Sequence, residues 1–123
     1  MDIQFVLTEE APTFEFFIPA GRNNFKTQCM AIISGIAPAI EADSEAEPPV
    51  AAVEKNAVTL EYALPATTDA ATGAELAKEW VASGVNLDAD GMHAIAICGA
   101  PEGEMRFVLS GVRDMRIRFF ILY

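Results

Sequence analysis

The last ten residues of the chain alternate between apolar and polar positions, which predicts a β-strand over Asp114–Tyr123. One face of this strand carries Arg116 and Arg118, followed by Phe120 and Leu122. The other face carries five large apolar residues, Met115, Ile117, Phe119, Ile121 and Tyr123. An exposed strand of this composition would pair with other chains. We therefore expect it to be paired on both sides, either by its own sheet or by another subunit.

Two further strands are predicted immediately upstream of this one. Met92–Cys98 is apolar on both faces apart from His93, which is typical of a central strand covered on both sides. Glu104–Ser110 alternates between large apolar residues and a more polar face that carries Arg106. The last third of the chain is therefore predicted to contribute three strands to one sheet system.

The first half of the chain shows the same two-residue period in shorter segments. It predicts strands over Asp2–Thr8, Thr13–Ile18, Phe25–Ile33 and Ala57–Leu64, with Val50–Lys55 as a weaker candidate. The apolar run inside Phe25–Ile33 is too short for its period to distinguish a strand from the start of a helix running on to Ile36. We favour the strand.

One short helix is predicted over Gly73–Ala82. Thr72 and Glu75 have the spacing of a capping box, and Gly84 supplies a C-terminal stop. Trp80 belongs to an apolar stripe that would anchor this helix on the sheet. The predicted fold class is therefore α+β and β-rich, a mainly antiparallel sheet of about six to eight strands, sandwich-like or barrel-like, with one short helix packed on it.

Length and composition favour one domain over residues 1–123, because 123 residues with 52% hydrophobic content suffice for a core. An acidic surface loop is predicted at about residues 41–49, where four acidic side chains precede two prolines. The chain starts without a basic leader, and its longest apolar run is too short to span a bilayer. We therefore expect a cytoplasmic protein, or part of a particle assembled inside the cell. Cys29 and Cys98 lie in apolar runs, which favours buried thiols over one disulfide.

The net charge of −10 is unevenly distributed. Residues 1–105 contain 17 acidic and 4 basic side chains, whereas residues 106–123 contain four arginines and one aspartate. The overall acidity disfavours nucleic acid and anionic membranes as partners. The arginines form either a solvated face or a patch that meets an acidic surface on a neighbour.

No catalytic, metal or cofactor site is predicted. His93 is the only histidine, and Cys98, five residues further on, falls on the opposite face of the same predicted strand. No closely spaced cysteines and histidines are present for zinc. Asn86–Gly91 partly resembles the opening of an EF-hand loop, but Ile97 stands where the bidentate glutamate belongs. A tight turn explains this segment without an ion.

These observations favour a non-enzymatic structural or interaction protein, a subunit of a larger assembly such as a virion, acting through a protein partner or self-association as a homo-oligomer. The predicted partner-binding residues are Arg106, Arg113, Arg116, Arg118, Phe120 and Leu122. Two alternatives stay open. One is an acidic decoy or inhibitor that binds a basic groove of another protein. The other is a small-molecule-binding domain or enzyme with a pocket near His93 and Trp80.

Overall fold

The computed structural model describes residues 2–18, 28–64, 66–95 and 103–122, without the side chains of residues 28 and 122. It contains ten strands: β1 (Asp2–Leu7), β2 (Thr13–Phe17), β3 (Gln28–Ser34), β4 (Ala57–Leu64), β5 (Thr67–Thr68), β6 (Glu75–Leu76), β7 (Glu79–Leu87), β8 (Gly91–Ile95), β9 (Glu104–Ser110) and β10 (Met115–Leu122). No helix occurs in the described residues. The mainly antiparallel, β-rich prediction is confirmed, whereas the predicted short helix is wrong.

Eight of the strands form two four-stranded antiparallel sheets. Sheet 1 has the order β1-β10-β3-β8, and sheet 2 has the order β2-β9-β4-β7. Strand β1 pairs with β10, β2 with β9, β3 with β8, and β4 with β7. The first four strands of these sheets thus pair in order with the last four, counted from the C-terminus, as in one long antiparallel hairpin. Successive pairs along this hairpin belong alternately to sheet 1 and sheet 2. This connectivity is that of a jelly roll, an eight-stranded sandwich built from two Greek keys.

The core lies between the two sheets, because the two-residue period turns one face of each strand inward. Phe107 of β9 occupies its centre and is fully buried. Its ring centroid lies 5.5 Å from that of Phe5, 5.3 Å from that of Phe16 and 5.4 Å from that of Phe119. Because these rings belong to strands of both sheets, the aromatic cluster joins the two layers.

Strand β10 is an interior strand of sheet 1, with β1 on one side and β3 on the other. Its inward residues Met115, Ile117, Phe119 and Ile121 are buried. The expected pairing on both sides is therefore made by the chain's own sheet. The apolar C-terminal strand needs no second subunit to cover it.

Strand β8 is an edge strand of sheet 1, so the prediction of a central strand over Met92–Cys98 is wrong. Residues 96–98 of that prediction lie outside the described part of the chain. Met92 is 59% exposed on the outer face, whereas Ile95 is buried on the inner face. An apolar outer face that is left open has the same residue pattern as one that is covered, so the period alone misled the prediction.

The segment predicted as a helix forms the second arm of a hairpin. The backbone amides of Ala71 and Thr72 donate to Asp69 Oδ1 at 2.7 and 3.3 Å, which shapes the turn. The amide of Gly73 donates to the carbonyl of Asp69 at 2.8 Å, and the amide of Asp69 donates to the carbonyl of Ala74 at 2.8 Å. These bonds close the hairpin and place β6 against β5. The Thr72 and Glu75 pair therefore does not cap a helix.

Strand β7 then continues along β4, with Trp80 opposite Ala63. The register shifts between Leu60 and Glu61, and Gly84 has a φ of 87° at this irregularity. Gly84 therefore serves a bulge in the strand and not a helix end, because glycine adopts positive φ without steric cost.

A long connector over residues 35–56 links β3 to β4. It makes two isolated antiparallel bridges, Ile40 with Val53 and Asp43 with Val50. The four acidic side chains between residues 41 and 47 are exposed. The weak strand prediction over Val50–Lys55 corresponds only to the two bridge positions Val50 and Val53.

Candidate functional site

The predicted partner-binding residues fall into three separate places. Arg116, Arg118 and Phe120 lie on β10 with their side chains on the outer face of sheet 1, because the alternate residues of β10 are buried. Arg106 lies on β9 in sheet 2, and Arg113 lies in the turn between β9 and β10. The side chain of Leu122 is outside the described part of the structure. The structure therefore brings together three of the predicted residues, Arg116, Arg118 and Phe120, and places Arg106 and Arg113 apart from them.

The sheet 1 surface, as we call it, comprises the outward positions of β1, β10, β3 and β8. Across the strands, one row runs Asp2, Phe120, Met30, Ala94, and the next runs Gln4, Arg118, Ile32, Met92. A third row begins Val6, Arg116, Ser34. Val6 and Met92 are 47% and 59% exposed. The surface thus combines apolar side chains on all four strands with two guanidinium groups.

The two arginines of this surface differ in their partners. Arg118 forms a bidentate pair with Asp2, with Nε to Oδ1 at 3.1 Å and Nη2 to Oδ2 at 2.7 Å. Arg116 is exposed and makes no salt bridge with any residue whose placement is described. Among the described residues, Arg116 is therefore the cation of the sheet 1 surface that no carboxylate neutralises.

The hydrogen bonds from Arg118 hold the pKa of the Asp2 carboxyl below its ordinary value of 3.8, and the positive charge of the same guanidinium acts in the same direction. The bond to Asp2 likewise raises the pKa of Arg118. Because the Asp2 pKa is lowered in the folded chain, the stabilisation from this pair is complete above the unfolded pKa. It is lost as the pH falls through the lower folded value, and solvent screens it.

Arg113 binds backbone carbonyls within its own chain. Its Nη2 donates to the carbonyl oxygens of Ala37, Pro38 and Glu54 at 2.9, 2.8 and 2.9 Å. The guanidinium thereby fastens both ends of the connector to the turn before β10. The contacts of Arg113 in the structure are therefore structural. Its contact with a partner stays a prediction.

Asn56, which the sequence pattern did not single out, is the buried polar residue beside Arg113. Its Oδ1 accepts from the amide of Ala37 at 2.8 Å. Its Nδ2 donates to the carbonyl of Gly35 at 2.9 Å and lies within 3.4 Å of the carbonyl of Arg113. It also lies 2.9 Å from Sδ of Met115. A single asparagine before a strand is not part of a repeating pattern of apolar and polar positions, so the sequence analysis could not identify it.

The outer face of sheet 2 carries a second cluster of charged and aromatic side chains. Arg106 Nε donates to Glu61 Oε1 at 2.6 Å, and the guanidinium carbon lies 4.4 Å from the centroid of the Trp80 ring. Lys78 Nζ lies 2.5 Å from Glu104 Oε2 and 5.1 Å from the same ring. Trp80 is therefore held by cations and does not anchor a helix as predicted.

An open groove of about 400 Å³ lies beside this cluster, and we call it the sheet 2 groove. Its lining residues are Glu15, Phe16, Phe17, Lys78, Trp80 and Glu104. Phe17 is 56% exposed at the edge strand β2 and lies opposite Glu104 in the β2–β9 register. The groove therefore combines an exposed phenyl ring, an indole, two carboxylates and an ammonium group.

His93 does not line the sheet 2 groove. It lies on β8 of sheet 1, and its Nε2 is 2.6 Å from the carbonyl oxygen of Ala89, close to the turn before its own strand. Trp80 lies on β7 of sheet 2. The structure therefore assigns the two residues of the predicted shared pocket to different sheets.

Within the described residues, no group of three histidine, cysteine, aspartate or glutamate side chains is placed to hold a metal ion. In the segment that resembles a calcium loop, Asp90 Oδ1 instead accepts from the amide of Ile36 at 2.9 Å. This bond ties the turn before β8 to the end of β3. The described part of the chain also contains no helix long and apolar enough to cross a bilayer.

Cys29 carries a free, buried thiol on β3, and burial raises its pKa to about 11. In the Cys98→Ser variant Cys29 is the only thiol. We expect this variant to react with Ellman's reagent at pH 8 roughly 100-fold more slowly in native buffer than in denaturant. In the folded chain only a small fraction of Cys29 is ionised to the thiolate, and burial keeps the reagent away from it. Equal rates in the two buffers would contradict the buried placement of Cys29.

Comparison with known proteins adds no assignment. No protein-family model matches the chain, and searches of curated proteins and of solved structures find no match.

Proposed function

We propose that the protein is a non-enzymatic structural subunit of a larger assembly, of the virion or particle type, and that it contacts neighbouring copies through the sheet 1 surface. The observation that supports this proposal is the combination of exposed Val6 and Met92 with exposed Arg116, which pairs with no described carboxylate, on one sheet face. The C-terminal strand itself does not require a neighbouring copy, because β1 and β3 of its own sheet pair with it on both sides.

The apolar part of the sheet 1 surface supplies the driving force for association. An antiparallel sheet that faces water normally alternates with polar residues outward. Here Met30, Ile32 and Phe120 lie outward next to Met92, in two adjacent cross-strand rows. Removing such side chains from water contributes roughly 25 cal/mol per Å² of apolar area. A neighbour that covers these rows would therefore stabilise a contact.

The chain offers a complement to Arg116 on a different part of its surface. The connector exposes Glu41, Asp43, Glu45 and Glu47. A contact between Arg116 of one copy and this acidic segment of the next joins two unlike patches. Such head-to-tail contacts generate rings or extended assemblies, and complementary charge sets their register. We therefore identify the partner as a second copy of this chain.

The jelly-roll connectivity is compatible with this role by analogy of fold alone. The same architecture occurs in viral capsid domains, in lectins and in cupins, so it admits a particle subunit without selecting one. The surface chemistry, and not the fold, carries the proposal.

Light scattering coupled to size-exclusion chromatography tests the contact. Loaded at about 1 mM, the upper end of the range that brackets weak interfaces, the wild-type chain is expected to elute as an oligomer. Arg116→Glu should shift it towards the monomer, because the substituted side chain repels the acidic connector. Adding Glu45→Arg to that variant should restore the oligomer.

Leu76→Asp is the matched control for that series, since Leu76 is exposed on β6, away from the sheet 1 surface. It should leave the oligomer unchanged. A wild-type monomer at this concentration would contradict the proposal. So would equal dissociation by the Leu76 and Arg116 substitutions.

A further inference from the structure

We propose that the sheet 2 groove binds a neutral saccharide. This inference does not rest on the assembly proposal, because the groove lies on the opposite outer face of the sandwich from the sheet 1 surface. It adds a ligand-binding activity to a chain whose other face is assigned to contact between copies.

The apolar part of the groove suits one face of a sugar ring. Phe17 exposes 56% of its surface at the edge of sheet 2, although an aromatic side chain gains most from burial. Trp80 lines the same groove from β7, at the opposite edge of the sheet. A pyranose has one face of C–H groups, which can lie against the exposed phenyl ring while its edges stay polar.

The polar lining suits hydroxyl groups. Glu15 and Glu104 supply carboxylate oxygens that accept hydrogen bonds, and Lys78 supplies an ammonium donor. Lys78 is bonded to Glu104 at 2.5 Å, so the Glu104 carboxylate is held in position and keeps acceptor capacity for a ligand hydroxyl. A ligand that both donates and accepts at several points matches this mixture.

The charge of the groove argues against charged ligands of either sign. An anion would meet the carboxylates of Glu15 and Glu104 beside the single ammonium group of Lys78, and the nearby guanidinium of Arg106 is already paired with Glu61. A cation would seek the face of Trp80, the site where ring electrons attract positive charge. That ring already has the guanidinium of Arg106 at 4.4 Å and the ammonium of Lys78 at 5.1 Å. The sheet 2 groove is therefore better suited to a neutral ligand than to an anion or a cation.

The groove is also built on a rigid support. Glu15 and Phe17 lie on β2, Glu104 on β9 and Trp80 on β7, all strands of one hydrogen-bonded sheet. The bond of Arg106 to Glu61 fixes the cation beside Trp80. Side chains that are positioned before binding lose little freedom on binding. The volume of about 400 Å³ lies in the range of small-ligand sites and accommodates roughly one or two sugar rings.

Fluorescence titration of the full chain tests the proposal directly, because Trp80 is the only tryptophan. The probes are glucose, galactose, mannose and N-acetylglucosamine, each as monosaccharide and trisaccharide, with choline and inorganic phosphate as charged comparisons. We expect a saturable change in emission with at least one neutral sugar, with a Kd in the range of ~0.1–10 mM.

Variants then connect the signal to the groove. Phe17→Ser and Glu15→Ala should each weaken the binding of that sugar about tenfold, whereas Phe17→Tyr should retain it. Met92→Ser, on the sheet 1 surface, should leave the affinity unchanged. The proposal is overturned if no sugar gives a saturable response, if choline or phosphate binds more tightly than every sugar, or if Phe17→Ser binds as the wild type does. Circular dichroism confirms that each variant is folded.

Discussion

Replacing Phe107 with alanine is expected to lower the free energy of unfolding by about 4 kcal/mol, the range of a large aromatic side chain deleted from a core. Phe107 is fully buried and contacts aromatic rings of both sheets, with centroid distances of 5.5 Å to Phe5, 5.3 Å to Phe16 and 5.4 Å to Phe119. The remaining rings belong to hydrogen-bonded strands, so they can close the cavity only in part. Urea denaturation followed by Trp80 emission measures the change.

Phe17→Ala is the matched control for Phe107→Ala, because it removes the same side chain from an exposed position. It should cost less than about 1 kcal/mol, since surface substitutions away from packed features have small effects. Comparable losses for the two variants would show that Phe107 does not occupy the centre of the sandwich.

Replacing Asn56 with alanine is expected to lower the free energy of unfolding by about 3–4 kcal/mol, because each buried polar group left without a partner costs roughly 1–3 kcal/mol. The substitution removes the acceptor of the Ala37 amide and the donor to the Gly35 carbonyl. Both groups belong to the connector, and Asn56 itself is fully buried. The expected result is loss of global stability together with faster hydrogen exchange in the first residues of the connector.

Two further variants separate the parts of this effect. Asn56→Asp keeps the oxygen that accepts from Ala37 but removes the Nδ2 donor. This variant should therefore lower the free energy of unfolding without a selective increase in the hydrogen-exchange rate of the Ala37 amide. Asn86→Ala, at an exposed position of β7, should change the stability by less than about 0.5 kcal/mol. If Asn56→Ala leaves the free energy of unfolding unchanged, the Asn56 side chain does not hold the connector in the way its hydrogen bonds indicate.

The sequence predicted strands well where one face is buried and the other is polar. The predicted strands over Ala57–Leu64 and Glu104–Ser110 coincide with β4 and β9, and within the described residues Asp114–Tyr123 differs from β10 only at Asp114. These segments carry an unbroken two-residue period, which is a local property of the chain. The order of the strands is decided by pairings between distant residues, so no local pattern contained the jelly-roll connectivity.

The predicted helix shows how a distant partner overrides a local pattern. Leu76 and Trp80 have the spacing of a helical stripe, but residues 79–87 satisfy their backbone groups along β4. The turn at Asp69 reverses the chain between β4 and β7 and so brings the two strands side by side. Helix propensity is a weak preference that tertiary pairing overrides.

The candidate surfaces were predicted only in part, for the same reason. The two-residue period was enough to place Arg116 and Arg118 on one face. It could not show that Arg106 belongs to the other sheet, because sheet membership depends on the connectivity. The sheet 2 groove joins residues of β2, β7 and β9, together with Lys78 just before β7, that are up to 89 positions apart in the chain, from Glu15 to Glu104. Its one local signal was Phe17, an aromatic residue on the polar face of β2.

The contact between copies through the sheet 1 surface is tested most directly by methyl NMR of the full chain labelled at its methionines, recorded over a dilution series from about 1 mM to about 10 µM, a range that brackets weak interfaces. Met92 and Met30 lie on the sheet 1 surface, whereas Met105 and Met115 are buried between the sheets and serve as internal references. The account predicts that the Met92 and Met30 resonances shift on dilution while the other two stay in place. Four resonances that are unchanged across the whole series would contradict it.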